Sequence, residues 1–489
     1  MKLLLLKRAT PLLSALILAG CVSYGGITPQ AKLTSAADLH LTQSETQWPD
    51  LRSWEILHDP VLNHLMDQAL EGNPNIKVAK ARLGKVSAMT QMADANRYPE
   101  VGVRASVMPE RFTENGLYPP PYAGATKSTN QLMVNARYEF DFWGKNHDLL
   151  AAAISQEKAA QAEVHAAKLL IETSVAKSYF SLANNLEQKA ILEKMLAVRV
   201  ELSNVASRRL AAGLETSQDT ETTQQAIPAM KAFISYIDEQ ISLSRNALAA
   251  LIGKGPEATQ NVVASLPASL TLPAPDSISA NLLGHRADVT AARLRAEAAA
   301  KQIDATKTEF YPNVNLTAFA GFSSIGFSHW IEGSSRDYGV GPAISLPIFD
   351  GGRLRADLSS KTAEYDMAVE SYNQTLIEAV HDVADQLTSL KANTEQLQHQ
   401  NELLHSADTV YQNAIQREQA GLVNRITVLN AQSSVLNQQS FAVELRTRAV
   451  GLNINLLRAL GGGFDEQTAF QTTVSQNTAP ETASPNATN

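Results

Sequence analysis

Cys21 is the one cysteine in 489 residues, and it follows Leu18-Ala19-Gly20. Small residues ahead of a thiol suit a peptidase groove, and the thiol itself is open to acylation. Cleavage and lipid attachment are the only covalent chemistry this sequence is built for. The ten histidines are scattered and form no His-Glu-x-x-His. His399 and His405 stand six apart, which puts them off a shared helix face. No P-loop and no Gly-x-Ser-x-Gly occurs, and Gly461-Gly462-Gly463 follows a helical stretch and reads as a stop, not a phosphate cradle. The expectation is therefore a protein that is not an enzyme, with no cofactor and no metal. A net charge of −8 without a Lys/Arg cluster argues against nucleic acid as a partner.

The residues around Cys21 assign a compartment. Lys2, Lys7 and Arg8 form a basic n-region, and Leu12 to Leu18 is an apolar run too short to span a bilayer. Leu18-Ala19-Gly20-Cys21 resembles the bacterial lipobox, and Val22 in place of Asp favours outer-membrane sorting by analogy with bacterial lipoproteins. Two or three acyl chains on Cys21 give stable anchoring where one does not. Beyond Cys21 no run of 18 uncharged apolar residues exists. Any crossing of a membrane must then use strands, since in lipid only helices and closed barrels satisfy their own backbone.

The chain is written twice. Tyr98-Pro99 returns as Tyr311-Pro312, 213 residues on. Gly144-Lys145 returns as Gly352-Arg353, and Ala212-Gly213-Leu214 as Ala420-Gly421-Leu422, both 208 residues on. The first half thus carries five extra residues, placed near Pro119-Pro120-Pro121. In each half a helical approach stops at Tyr-Pro and alternating strands follow. Val101, Val103, Ala105 and Val107 alternate with Gly102, Arg104 and Ser106. Leu132, Val134, Ala136, Tyr138 and Phe140 alternate with Met133, Asn135, Arg137, Glu139 and Asp141. Period two puts apolar side chains on one face and polar ones on the other. By that parity Arg104, Arg137, Glu139 and Asp141 are candidates for the inner wall of a barrel.

Long helices come next. From Lys145 to Ala212, and again from Arg353 to Ala420, neither Pro nor Gly interrupts 68 residues. That is about 100 Å of helix at ~1.5 Å per residue, a length that suggests coiled coil. Gly213 and Gly421 end these helices and antiparallel helices return, with Pro228 inside the first. The expected organisation is a signal peptide over 1–20 and a lipidated segment over 21–57. A first repeat over 58–252 follows, with strands near 99–108 and 131–141 and a helical hairpin over 145–252. A Pro-rich connector spans 253–285. The second repeat covers 286–461, with strands near 312–322 and 338–349 and a hairpin over 353–461, and a disordered tail fills 462–489. The fold class is mainly α with a membrane β-barrel. Four strands in one chain leave two open edges, and the smallest membrane barrels have about eight strands, so at least two chains must combine.

Several patterns together resemble the TolC-like outer-membrane efflux proteins, in the lipoprotein branch typified by OprM and NodT. They are Trp54 with Asp59-Pro60, Asn73-Pro74, the junction Tyr138 to Lys145, its partner Leu346 to Arg353, Arg286-Ala287-Asp288-Val289, and Leu460 to Gly463. The resemblance covers about Trp54 to Gly463. It implies a homotrimer whose twelve-stranded barrel sits in outer-membrane lipid above a periplasmic helical tube. It also implies two partners, a periplasmic adaptor and an inner-membrane pump that supplies the energy. Under it, Gly213, Leu214, Gly421 and Leu422 are the tips that meet the adaptor, and Arg208, Arg209, Asp219 and Arg417 are candidates at the tip or gate. The function implied is a passive exit duct of a tripartite efflux pump for drugs or toxic metabolites. A duct of a type I-like protein or peptide secretion system, and a non-conducting periplasmic coiled-coil scaffold, are the alternatives.

Overall fold

A computed structural model describes residues 23–35, 37–39, 41, 55, 58–267, 282–466 and 468–470. Cys21 with its three preceding residues, most of the connector and the tail from 471 lie outside them. The chain divides into two compact units, one of residues 1–33, 83–160 and 292–372, the other of 34–82, 161–291 and 373–489.

The helical approach to Tyr98-Pro99 consists of two helices, α1 (Pro60–Gly72) and α2 (Pro74–Ala95). Pro74 supplies no N–H and biases Asn73 to extended backbone, so the helix must restart there. Strands β1 (Glu100–Arg111) and β2 (Thr126–Phe140) follow, then helices α3 (Lys145–Ala211) and α4 (Ser217–Leu251). The second half holds a one-turn helix α5 (Leu282–His285), α6 (Ala287–Thr308), β3 (Asn313–Ile325), β4 (Arg336–Ser345), α7 (Arg353–Gln419) and α8 (Arg425–Ala459). The duplication is exact in helix length: α3 and α7 have 67 residues each, α4 and α8 have 35. β4 stops at Ser345 and does not run to 349, because Pro347 cannot donate to a ladder.

In the first unit the strands form one antiparallel meander in the order β1-β2-β3-β4. Its register sorts the two faces that alternation anticipates. Val103, Val134, Ala320 and Tyr338 share one row, and Arg104, Met133, Gly321 and Asp337 share the next, on the opposite face. Pro109 and Pro342 fall on the two edge strands, the positions of a sheet that tolerate them. The pairing obeys the sequence repeat. Glu100 opposes Arg137, and the residues 213 and 208 further on, Asn313 and Ser345, oppose each other likewise.

In the second unit Leu62, Leu65, Met66 and Ile76 pack on Ile171, Val175, Tyr179 and Leu182 of α3 and on Leu248 and Ile252. Further along, Ile191, Met195, Val198 and Leu202 of α3 meet Leu429, Leu436 and Val443 of α8. The seven-residue step on α8 and the alternating four and three on α3 are those of a coiled-coil seam. Phe464, inside the segment expected to be disordered from 462, is buried with its ring 5.4 Å from that of His165. Phe464 and Phe470 are the two aromatics of that segment, and Phe464 fills a buried site beside His165.

Candidate functional site

Both hairpin tips are built by the same backbone chemistry. Gly213 at φ 71° lets the Leu214 N–H reach Arg209 O at 2.8 Å, and Gly421 at φ 71° lets Leu422 N–H reach Arg417 O at 2.8 Å. Only glycine takes this left-handed cap without strain. The turn leaves Leu214 68% and Leu422 69% exposed. Thr216 then caps α4 and Asn424 caps α8.

The charges expected at the tips have separate surroundings. Asp219 accepts from Thr216 Oγ1 at 2.6 Å and from its backbone N–H, closing a capping box, so its carboxylate is engaged within its own helix end. Arg209 pairs with Glu215 at 3.0 Å, and Arg208 with Glu201 at 3.7 Å. Arg417, the repeat counterpart of Arg209, has no ion pair among the described residues, because Val423 stands where Glu215 would be.

On the sheet, Arg104 and Arg137 lie on the polar face, Arg137 in a row with Glu100 and Thr317. Glu139 shares that parity and accepts from Asn313 Nδ2 at 2.7 Å, with Lys145 at 3.5 Å. Asp141 departs from the expectation. The ladder ends at Phe140, and the Asp141 carboxylate accepts from the backbone N–H of Asn146 and His147 at 3.1 and 2.9 Å. It caps α3 and is not a strand-face residue. Asp350 serves α7 in the same way through Gly352 and Leu354, and the Leu354 N–H holds its carboxyl below the usual range.

The strand-to-helix junction also gathers the described N-terminus. Trp143 stacks on Tyr311 at 4.8 Å and donates to Pro312 O at 2.7 Å. Tyr24 reaches the Tyr311 hydroxyl at 3.2 Å, Arg355 donates to the carbonyls of Ser23 and Gly25, and Asp366 accepts from the N–H groups of Gln30 and Ala31.

Residue-type reasoning singled out no role for the hairpin roots. Asn73 donates to Leu251 O at the end of α4 at 2.7 Å. Arg286, only 8% exposed, donates to Asp288 at 3.0 and 2.7 Å, to Asp382 at 3.4 Å and to Ala459 O at the end of α8 at 3.3 Å. The signal was present in the spacing, since Asn73 and Arg286 are 213 apart and Leu251 and Ala459 are 208 apart. A cleft of about 280 Å³ opens beside Arg286, lined also by Thr375, Glu378, Asp382 and Arg458. Among the described residues no His, Cys, Asp and Glu cluster is placed to hold a metal, and no helix is long and apolar enough to cross a membrane.

The sequence model of the outer membrane efflux protein family matches residues 65–254 and 278–462, one span for each half. The chain belongs to the outer membrane efflux protein family. It is the outer-membrane channel component of an efflux pump. Among relatives of this efflux protein, the multidrug resistance outer membrane protein MdtP of Escherichia coli K12 is 31% identical over 447 residues, covering 88% of this chain and 89% of MdtP. The fusaric acid resistance protein FusA of Burkholderia cepacia is 32% identical over 360 residues, covering 71% of this chain and 68% of FusA. The crystal structure of the outer membrane protein VceC of Vibrio cholerae matches with 37% identity and a TM-score of 0.78, covering 86% of this chain and all of that one.

Proposed function

We propose that three copies of this efflux protein close a twelve-stranded barrel in the outer membrane and form a passive exit duct for small toxic molecules. The observation that carries this is the open four-stranded sheet, with one apolar and one polar face and an unpaired edge on β1 and on β4. In lipid such edges must close, and closure with the polar face inward gives a wet lumen lined by Arg104 and Arg137. The names of MdtP and FusA favour drugs and organic acids as cargo over polypeptides.

Acylated Cys21 anchors the chain to the same membrane. The hold on residues 23–31 by Arg355, Tyr311 and Asp366, beside the strand-to-helix junctions, supports this reading. Exposed Leu214 and Leu422 at the tips are the apolar contacts for a periplasmic adaptor, which couples the duct to an inner-membrane pump. Of the four tip charges, Arg417 is the one left to pair across copies, while Arg208, Arg209 and Asp219 already serve their own hairpin.

The test is accumulation of a fluorescent amphipathic dye in a deletion strain. Raised accumulation that the wild-type gene reverses supports the duct. Unchanged accumulation with loss of an exported polypeptide from the medium supports a secretion duct instead, and loss of neither supports a scaffold.

A further inference from the structure

At the foot of the sheet, where β2 runs out toward α3 and α6 runs into β3, lies a pocket of about 270 Å³. Its wall includes Glu139, Trp143, Lys145, Glu309, Tyr311 and Asn313. The strand register says which face it belongs to. Asn313, Asn315 and Thr317 share one face of β3, and their partners Ser345, Glu139 and Arg137 share it with them. That is the polar face, where Asn313 Nδ2 donates to Glu139 at 2.7 Å.

Glu309 is the residue that the fold leaves without a counterpart. α6 ends at Thr308, and the chain turns into β3 as the Glu309 N–H donates to Thr306 O at 3.1 Å and the Tyr311 N–H to Thr308 O at 3.0 Å. A carboxylate just past a helix C-terminus meets the negative end of the helix dipole. Nothing offsets this within the chain. Glu309 is half-buried, and among the described residues its carboxylate has no ion pair and no hydrogen bond. Lys307 is taken by Asp304 at 3.3 Å and Lys145 by Glu139 at 3.5 Å. A half-buried anion in that position is a cost to the fold unless a cation meets it.

Beside Glu309 stand two fixed aromatic rings. Trp143 stacks on Tyr311 at 4.8 Å with the planes 21° apart, and its Nε1 donates to Pro312 O at 2.7 Å. Both rings stay open, Trp143 48% and Tyr311 38% exposed. Ring faces attract a positive charge, and so does the carboxylate, while the rings also receive an apolar body. Glu139, Asp141 and Glu309 outnumber Lys145 in the wall, which disfavours an anion.

The repeat shows that joining strand to helix does not need these residues. The counterparts of Glu139, Trp143 and Glu309 are Pro347, Gly351 and Asn96, and the second half makes its junction without a carboxylate or an indole at those places. The acid and the rings of the first junction are therefore free to serve a guest.

We propose that this pocket is a cargo subsite for amphipathic organic cations, the positive group against Glu309 and the apolar body on Trp143 and Tyr311. This rests on the duct reading above, which turns the polar face of the sheet inward, and adds to it a charge preference at the entry to the barrel. Arg137, two residues up β2 from Glu139, stands on the same face. A guest moving on meets positive charge and is held loosely, as a site of passage requires.

The experiment is calorimetric titration of the detergent-extracted protein with benzyltrimethylammonium, and with benzenesulfonate as a ring-bearing anion. The cation is expected to bind saturably and the sulfonate not to bind. Glu309→Gln, which keeps the shape and breaks no ion pair, is expected to weaken the cation about tenfold. Trp143→Leu should weaken it too, but it also removes the bond to Pro312 O, so Glu309→Gln decides. Glu114→Gln, outside the pocket, should leave the affinity unchanged. Equal affinity in Glu309→Gln, or equal binding of the sulfonate, would overturn the subsite. Displacement of the cation by phosphatidylethanolamine in mixed micelles, and not by phosphatidylglycerol, would give the site to a lipid headgroup and overturn the cargo role. No saturable binding by a protein that still reverses dye accumulation would overturn the subsite and leave the duct standing. Binding by a protein that reverses no accumulation would overturn the duct reading, and the cargo role with it.

Discussion

Asn73 and Arg286 perform the same task in the two halves, each donating to the last carbonyl of the hairpin helix that returns to it, Leu251 O at 2.7 Å and Ala459 O at 3.3 Å. The first root is held by a neutral amide. The second is held by a guanidinium that also binds Asp288 and Asp382.

That difference sets unequal costs. Removing one partner of a buried ion pair costs about 3–5 kcal/mol, but Asp288 and Asp382 are 44% and 42% exposed, so water recovers part of it and about 2–3 kcal/mol is expected for Arg286→Ala. Asn73→Ala should cost about 1–2 kcal/mol, the loss of one satisfied buried amide. Thermal unfolding of the detergent-extracted protein, followed by tryptophan fluorescence, ranks the two.

Acid should act on the second root. Burial alone would raise the Asp288 carboxyl, yet the Arg286 hydrogen bonds and charge outweigh it and leave it below the usual carboxylate range. A depressed folded value contributes stability that is complete above the unfolded pKa, about 3.9, and is lost as pH falls through the folded one. Wild-type stability should therefore fall more steeply below about pH 4 than that of Asp288→Asn. Equal slopes in acid-unfolding titrations would contradict this.

Two glycines that both take positive φ should respond differently to alanine. A Cβ on Gly461 would meet His285 O at 1.7 Å, whereas one on Gly213 meets open space. Gly213→Ala should cost only the left-handed strain of about 1–2 kcal/mol. Gly461→Ala must also move backbone, at about 3 kcal/mol or more in total. The yield of assembled protein in outer membranes would reveal the contrast.

The tips separate contact from capping. Asp219→Ala removes a capping box and should cost about 1 kcal/mol without changing dye efflux. Leu214→Glu combined with Leu422→Glu leaves both caps intact and should cut efflux by about tenfold, the effect of losing apolar anchors worth about 1.4 kcal/mol or more. Full efflux in the double variant would remove the leucines from the adaptor contact.

Much of this architecture is legible in the sequence because it depends on short periods. Alternation from Val101 to Val107 sets a sheet face, and the 208-residue repeat of Gly213 as Gly421 places both tips. Asp141 misleads because parity runs one residue beyond the ladder, and nothing in alternation marks where a strand yields to a cap. Pro74 marks a helix break that the apolar pattern on either side conceals. Arg286 is hardest to read, since its acceptor carbonyls come from Ala379 and Ala459, 93 and 173 residues away. Only the fold brings backbone acceptors from such distances to one guanidinium.

Four strands cannot close a barrel, and the proposed assembly closes one with three copies. The most direct measurement is the protein mass of the detergent-extracted particle by light scattering. The expected result is a single species of three chains, each no heavier than the 52.8 kDa of the full sequence. A folded, monodisperse particle with the mass of one chain would contradict it, because the edges of β1 and β4 would then be unpaired in lipid.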